Sequence, residues 1–319
     1  MFRPSRREFL HLSGGAAALG LSGSLTFVPS AIADEAREKG FYTYKIGDIE
    51  VTSIYDGIWE KAHDDGFIRN ATVDETTAAL EKAGLSTEFI PIEFAQTVVK
   101  TGDDLVLIDA GTGGQMSPKA GATVKNMKAA GLDPADVKTV LISHFHPDHI
   151  FGLMAKETNE QTMPNAEIIV PAAEYKFWTD PATLEKMPDG FKPLVQRIQA
   201  TIPNWKNVTQ VDGEKEVAPG IRSLPLFGHT PGHTAYHISS GDDELFVVGD
   251  VTNIPALFVV NPGWQVSFDA IPDLAEKNRR MIFDRVITDG AVVAGYHFGF
   301  PNSGTITKDG DGYIFTPMS

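Results

Sequence analysis

The chain has 319 residues, 42% hydrophobic and 22% charged, which is enough to bury a sizeable core and too apolar for a disordered polypeptide. Its formal net charge of -15 speaks against a nucleic-acid partner, because such proteins neutralise phosphates with clustered Lys and Arg. It has no cysteine, so disulfides and thiolate zinc ligation are excluded; a metal site must be built from His, Asp and Glu, which suits Zn, Mn, Fe, Co or Ni.

The chain opens on Ser5-Arg6-Arg7-Glu8-Phe9-Leu10. A mildly apolar stretch rich in Gly and Ala follows over about 12–28, then Ala31-Ile32-Ala33 before the acidic Asp34. Basic, apolar and small-residue regions in that order are those of a secretory signal. The arginine pair followed by Glu-Phe-Leu resembles a twin-arginine signal. A short membrane anchor is the competing reading, but Ser and Gly interrupt the stretch and it lacks a long apolar run. The expectation is a leader over 1–33, read by the twin-arginine export machinery, and one domain over 34–319. That domain is expected to act in the periplasm or outside the cell, without a membrane after processing.

Residues 41–55 read as two strands around a turn at Gly47-Asp48, in β-rich composition. A helix is predicted over 74–84. Residues 96–100 and 105–108 around Gly102-Asp103-Asp104 read as a hairpin. Residues 124–130 read as a helix ended by Gly131. Short buried strands are predicted at 139–143 and 167–170, and a helical region at 172–202. Strands return at 221–227, 235–239 and 244–248. Residues 272–289 read as an amphipathic helix with Leu274, Met281, Ile282 and Val286 on its apolar side, followed by a last strand at 291–294. Interleaved strands and helices without an internal repeat argue for sheet layers covered by helices. The segment 57–71, rich in Asp, Trp and Phe, reads either as a cap over a site or as a cover for the core.

Nine histidines are present, and three of them fall within six residues, in His144-Phe145-His146-Pro147-Asp148-His149. The cluster begins where the strand ends. His144 and His146, two apart, point the same way from an extended backbone. Pro147 stops the strand and puts Asp148 and His149 in the first turn of a helix. A solvated polar loop would not concentrate imidazole and carboxylate in this way, whereas a divalent metal site requires it. His229, Asp250 and His297 each lie just past a predicted strand, where loop side chains converge in layered structures. His63 and His237 have no such setting and read as structural or surface residues.

Together these residues carry a family resemblance. Asp109-Ala110-Gly111, His144-x-His146-x-Asp148-His149, Gly228-His229-Thr230-Pro231-Gly232-His233, Gly249-Asp250 and Tyr296-His297 are similar to the ordered motifs of the metallo-β-lactamase superfamily, over roughly residues 94–300. The resemblance implies an α/β (α+β) fold, an αββα four-layer sandwich that makes 34–319 a catalytic domain. It implies that His144, His146 and His229 hold one divalent metal, zinc first among the candidates. Asp148, His149 and His297 would hold the other, with Asp250 bridging both. Asp109 would orient the ligand loop, and His233 would be a packed or hydrogen-bonded support.

Two ions so held would supply a water whose pKa is lowered towards neutrality for attack on an ester-like bond, with Asp148 or Asp250 the candidates to shuttle the proton to the leaving group. The resemblance is closest to the methyl parathion hydrolase-like and lactonase-like branch, through residues 163–166, 175–178, 217–221 and 297–301. The substrate is then a small molecule: an aryl ester, a lactone or a phosphotriester. Acyl-homoserine lactonases usually carry a Tyr shortly after the bridging Asp, where this chain has Thr252 and Asn253. Trp178, Phe145 and Asn253 are candidates for the substrate pocket, and Phe177 reads equally well as core. A homodimer is compatible with all of this. Other readings are a β-lactamase, a mononuclear-iron sulfur dioxygenase of the same fold, and a non-catalytic exported binding protein.

Residues 1–33 fused to a reporter are expected to direct its export, and Arg6→Lys with Arg7→Lys to abolish it. Export that tolerates both changes, measured by cell fractionation, would overturn the twin-arginine reading.

Overall fold

Runs that are apolar at every position are strands buried on both faces. Leu105 and Leu107 join one cluster of buried side chains, while Val106 and Ile108 join another. Val140 and Leu141 divide in the same way, as do Ile168 and Ile169. Side chains alternate across a strand, so a strand without a polar face must be covered twice. The computed structural model describes residues 31–318. It meets this requirement with two seven-stranded sheets packed face to face and helices on the outer faces.

The first sheet runs in chain order: β1 (Phe41–Ile46), β2 (Ile49–Lys61), β3 (Ile90–Thr101), β4 (Asp104–Ile108), β5 (Val137–Leu141), β6 (Glu167–Pro171) and β7 (Val208–Val211). Strands β1 to β4 pair antiparallel, and β4 to β7 pair parallel. The second sheet is also sequential: β8 (Glu216–Ala218), β9 (Ile221–Pro225), β10 (Thr234–Ser240), β11 (Asp243–Val247), β12 (Val292–Ala294), β13 (Ser303–Asp309) and β14 (Gly312–Pro317). Its β11–β12 pair is parallel and its other pairs are antiparallel. The helices are α1 (Ala31–Lys39), α2 (Val73–Lys82), α3 (Thr123–Ala129), α4 (Pro147–Ile150), α5 (Ala172–Thr179), α6 (Pro181–Lys186), α7 (Lys192–Thr201) and α8 (Pro272–Asp289).

Val51, Val99, Ile108 and Leu141 of the first sheet meet Ile221, Tyr236, Ile238 and Val247 of the second in the central core. The outer face of the first sheet packs on Met127, Trp178, Val195 and Ile198 from its helices. The outer face of the second packs on Ile282, Phe283 and Val286 of α8. These are the four layers expected of an αββα sandwich. A fourth cluster joins Phe67 and Ile68 to Leu257, Phe258, Val266 and Tyr296. The segment 57–71 therefore covers apolar side chains, and Tyr296 brings that cluster up to His297.

Several expectations shift. On α8 Ile282 and Val286 are buried as expected, but Met281 is exposed and Leu274 only half-buried, and Ala275, Arg279 and Phe283 complete the buried stripe. The helical region 172–202 is divided, with α6 starting on Pro181 after Asp180 caps it. Strands β7, β8, β13 and β14 were not anticipated. β7, β8 and β14 lie at sheet edges and β13 pairs next to one, and partial burial weakens the apolar pattern in each. Helix α1 runs across the expected 33/34 boundary, and residues 1–30 of the expected leader lie outside the described residues. Among the described residues no helix is long and apolar enough to cross a membrane.

One close approach seats the histidine-rich loop. Gly152, just beyond α4, donates its N–H to the Gly111 carbonyl at 2.9 Å, and a Cβ at Gly152 would stand 1.8 Å from the Ala110 carbonyl oxygen. The two backbones meet only because no side chain intervenes. Gly152→Ala is expected to destabilise the fold by about 1–3 kcal/mol. This should appear as a lower urea midpoint at unchanged m-value; an unchanged midpoint would mean that the backbones are free to part.

Candidate metal centre

The sheet order explains why residues distant in sequence converge. β9 and β11 both pair antiparallel with β10, and β12 pairs parallel with β11, so all three point the same way. His229, Asp250 and His297 follow their C-terminal ends. From the first sheet, His144 and His146 follow β5, and Asp148 and His149 lie in α4. All seven are buried, and His146 and Asp148 are the least so, at 8% exposure each. Any approach from solvent is therefore past these two.

The seven fall into two groups whose ligand atoms lie within 4.8 Å of one another: His144, His146, His229 and Asp250 in one, Asp148, His149, Asp250 and His297 in the other. In the first, His146 Nδ1 is 3.0 Å from His144 Nε2 and 2.9 Å from His229 Nε2, and His229 Nε2 is 3.4 Å from Asp250 Oδ2. In the second, His149 Nε2 is 3.3 Å from both Asp148 Oδ2 and Asp250 Oδ1. His297 Nε2 is 3.4 Å from Asp148 Oδ2 and 3.1 Å from Asp250 Oδ2. Ligands about 2.0–2.1 Å from a tetrahedral cation lie roughly 3.3 Å apart. The spacings fit that geometry. Moreover, His149 Nε2 and Asp250 Oδ1 are buried without a hydrogen-bond partner, a costly arrangement unless a cation lies between them. The donor set is thus compatible with a dinuclear centre, and Asp250 belongs to both halves.

Each of four rings is aimed by an acceptor on its Nδ1. His149 donates to Asp109 Oδ2 at 2.8 Å, His229 to Asp269 Oδ1 at 2.9 Å and His297 to the Glu93 carbonyl at 2.8 Å. His144 Nδ1 lies 3.0 Å from Ser143 Oγ, whose own proton goes to Asp109 Oδ2 at 2.8 Å. A proton on Nδ1 leaves the Nε2 lone pair free for a metal. Asp109 holds the loop as well, accepting the Ser143 N–H at 2.8 Å, from a left-handed backbone (φ 58°) that Asp tolerates better than most residues. His233 has both nitrogens committed, Nδ1 to the Leu226 carbonyl at 3.1 Å and Nε2 to the Asp250 N–H at 3.0 Å, which suits a support and not a ligand.

Protonation follows the same division. Burial pushes His144 well below its ordinary value and His146 down to about 3, with the neighbouring imidazoles adding to both, so these two are neutral. Burial likewise takes His233 down to about 3. Burial opposes charge on His149 and His297 as well, but the facing carboxylates win. Asp148, Asp109 and Asp250 raise His149 well above its usual value, and Asp250 and Asp148 raise His297 to about 9. Asp148 and Asp250 stay below the usual carboxylate range despite burial, through His149 and His297.

The pocket candidates are redistributed. Trp178 and Phe145 are buried in the outer core of the first sheet, with the Trp178 indole N–H donating to Glu174 at 2.6 Å, so neither lines an open wall. Phe177, next along α5, lines a cleft of about 340 Å³ with Pro231 of the His229 loop. Asn253 is buried with Nδ2 3.5 Å from Asp250 Oδ2, touching the shared carboxylate. His237 stacks on Phe246 away from the centre. The sequence reading gave Tyr296 no role beyond its place in the Tyr296-His297 motif, and it missed Asp269 and Arg279. Tyr296 lies against His149 at 3.9 Å between ring centroids, and its hydroxyl donates to the Asp148 carbonyl at 2.6 Å. Arg279 of α8 donates to Asp269 Oδ2 at 3.2 Å and to the Val251 carbonyl at 2.8 Å, joining the partner of His229 to the residue after Asp250. Only Tyr296 carried a signal, its adjacency to His297.

The chain is 31% identical over 130 residues to an N-acyl homoserine lactonase of Bacillus sp, covering 40% of this chain and 44% of that protein. It is 26% identical over 188 residues to N-acyl homoserine lactonase AiiB of Agrobacterium fabrum, covering 53% of this chain and 65% of that protein. The chain thus spans about half the length of the curated relatives it matches. Among solved structures it is similar to AidC, a dizinc quorum-quenching lactonase, with TM-score 0.78, 26% identity, and coverage of 88% of this chain and 98% of that one. It is also similar to the hydrolase AbOPH of the beta-lactamase superfamily, with TM-score 0.81, 25% identity and the same coverage. The family model for the metallo-beta-lactamase superfamily matches residues 95–297, more than half of the chain and a span that takes in every candidate ligand. The chain therefore belongs to the metallo-beta-lactamase superfamily, whose members include these metal-dependent hydrolases.

Proposed function

We propose that the chain is an exported hydrolase that cleaves an ester-like bond at a dinuclear metal centre, with lactones and aryl esters its foremost substrates. The observation that carries this reading is Asp250, whose two oxygens face ligand atoms of both clusters, one of them without any other partner. His144, His146 and His229 would hold one cation, and Asp148, His149 and His297 the other, with Asp250 common to both. Two divalent cations so held, zinc the first choice, supply an activated water at neutral pH and a Lewis acid for the bond under attack.

The chain's own residues divide the remaining work. Four imidazoles are fixed by their Nδ1 partners, so the centre needs little rearrangement during turnover. Asp148 contacts His149 and His297 through Oδ2, and it is among the more exposed of the seven. Its second oxygen is the better-placed acceptor for a proton bound for the leaving group, because both oxygens of Asp250 face histidines. Tyr296 is a poor acid here, since its hydroxyl already donates to Asp148 and accepts from Gln96 Nε2 at 2.7 Å.

Support for a lactone comes from relatives described as N-acyl homoserine lactonases. The Thr252-Asn253 pair after Asp250 favours a wider ester panel, because it offers no phenol to a lactone carbonyl. Phosphotriesters extend the panel.

The chain is expected to carry about two metal ions, and His144→Ala with His146→Ala to lower kcat/KM by on the order of 1000-fold, the rate equivalent of several kcal/mol. Elemental analysis and a panel of lactones, aryl esters, phosphotriesters and nitrocefin test this together. Full activity in the double variant sinks the reading; one iron per chain with oxygen uptake points to an oxidation. Chelation is expected to lower Tm by a few degrees, since a ligand at 100 times its Kd stabilises by about 2.7 kcal/mol, and added zinc should restore it.

A further inference from the structure

Glu174 is completely buried on α5, and everything its carboxylate touches is a donor. Oε1 accepts from the Phe145 N–H at 3.0 Å and the Trp178 indole N–H at 2.6 Å. Oε2 accepts from the Thr230 hydroxyl at 2.7 Å and the Gly232 N–H at 2.9 Å. Three of the four partners are N–H groups, which cannot accept a proton, so the ionised carboxylate is the form this setting satisfies. Burial outweighs the four donors and leaves its pKa raised above the usual carboxylate value.

The positions of those donors matter. Phe145 lies between His144 and His146, while Thr230 and Gly232 follow His229. One carboxylate therefore ties a loop of the first sheet to a loop of the second, and these two loops carry all three histidines of one cluster. A steric lock adds to the polar one: a Cβ at Gly232 would stand 2.1 Å from the Glu174 backbone nitrogen, so the loop presses directly on α5. Trp178, held by the same carboxylate, packs edge-on against His146 at 6.1 Å between ring centroids. The second cluster is braced elsewhere, by Asp109 on His149, the Glu93 carbonyl on His297 and Tyr296 on Asp148.

We propose that Glu174 is a positioning residue for one metal of the two: it sets the spacing of His144, His146 and His229, and with it the affinity of the three-histidine cluster, and leaves the Asp148–His149–His297 cluster unchanged. This rests on the dinuclear reading above.

The test uses the chain loaded with cadmium-113 and followed by NMR, with the two resonances assigned through His229→Ala and His297→Ala. In Glu174→Gln the three-histidine resonance is expected to shift or vanish, with affinity at that cluster weakened on the order of 10-fold in competition with a chromophoric chelator. The other resonance should stay in place. Thr230→Val removes one donor and keeps the carboxylate, so it should move the same resonance by less; it decides the matter where Glu174→Gln does not fold. Both resonances moving together, or neither moving, would overturn the proposal. A wild-type chain that takes up no cadmium would overturn the dinuclear reading itself.

Discussion

Asp250 is a buried carboxylate that two sets of histidines must share, and most of the surrounding structure exists to hold it there. An ion removed from water costs several kcal/mol unless its lone pairs are met by partners of good geometry. Here one oxygen faces His149 and the other faces His229 and His297. The backbone is fixed as well: the Asp250 N–H donates to His233, whose other nitrogen donates to the Leu226 carbonyl at the end of β9. The next carbonyl, of Val251, is taken by Arg279 of α8. Two strand ends and one outer helix thus converge on a single residue. Cations in the two clusters would relieve the charge that this convergence creates.

The sandwich supplies the rigidity such a centre needs. Three strands of one sheet end side by side and point alike, and the first sheet delivers a loop and a short helix against them. Ligands carried on strand ends inherit the order of the central core, where Val51, Val99 and Leu141 face Tyr236 and Ile238. The acceptors behind the rings come from different segments: Asp109 after β4, Asp269 before α8, Glu93 within β3. The 144–149 segment, which carries four of the candidate ligands, is therefore held from a separate strand end through Asp109, and the ligands of the second sheet from elsewhere.

The ligand candidates were legible because His144, His229, Asp250 and His297 each come just past an apolar strand, and His146, Asp148 and His149 crowd in beside the first of them. Their clustering by two and three residues within 144–149 left little room for another reading. Asp269 and Glu174 had no such mark. Each is one acid among 42 Asp and Glu, without a spacing to its partner, and their contacts lie 40 and 56 residues away in Asp269–His229 and Glu174–Thr230. The aromatic assignment failed for a related reason. Phe177 and Trp178 are neighbours on a helix, about 100° apart, and composition does not say which of them turns inward. Trp178 does, because a buried acceptor awaits its N–H. The terminal hairpin was overlooked although Asp309-Gly310-Asp311-Gly312 is a turn signal, since β13 and β14 bury only part of one face.

With the candidate ligands buried and only His146 and Asp148 near solvent, metal binding and the choice of substrate would be carried by different residues. One fold hosts many functions, so a metal-ligand set alone does not fix the substrate. Discrimination falls to whatever borders the way in to His146, Asp148 and His297. Phe94 packs edge-on to His297 at 5.6 Å between centroids and belongs to the same cluster as Phe67, Ile68 and Phe258. That cluster joins the segment 57–71 to the π-helical turn Pro255–Val259, which begins five residues after Asp250. π-turns are often kept where function requires an irregular backbone. A change of side-chain volume there would be felt at His297 without altering a ligand. Substrate preference would therefore have a physical route to vary in this fold while the candidate metal ligands stay the same.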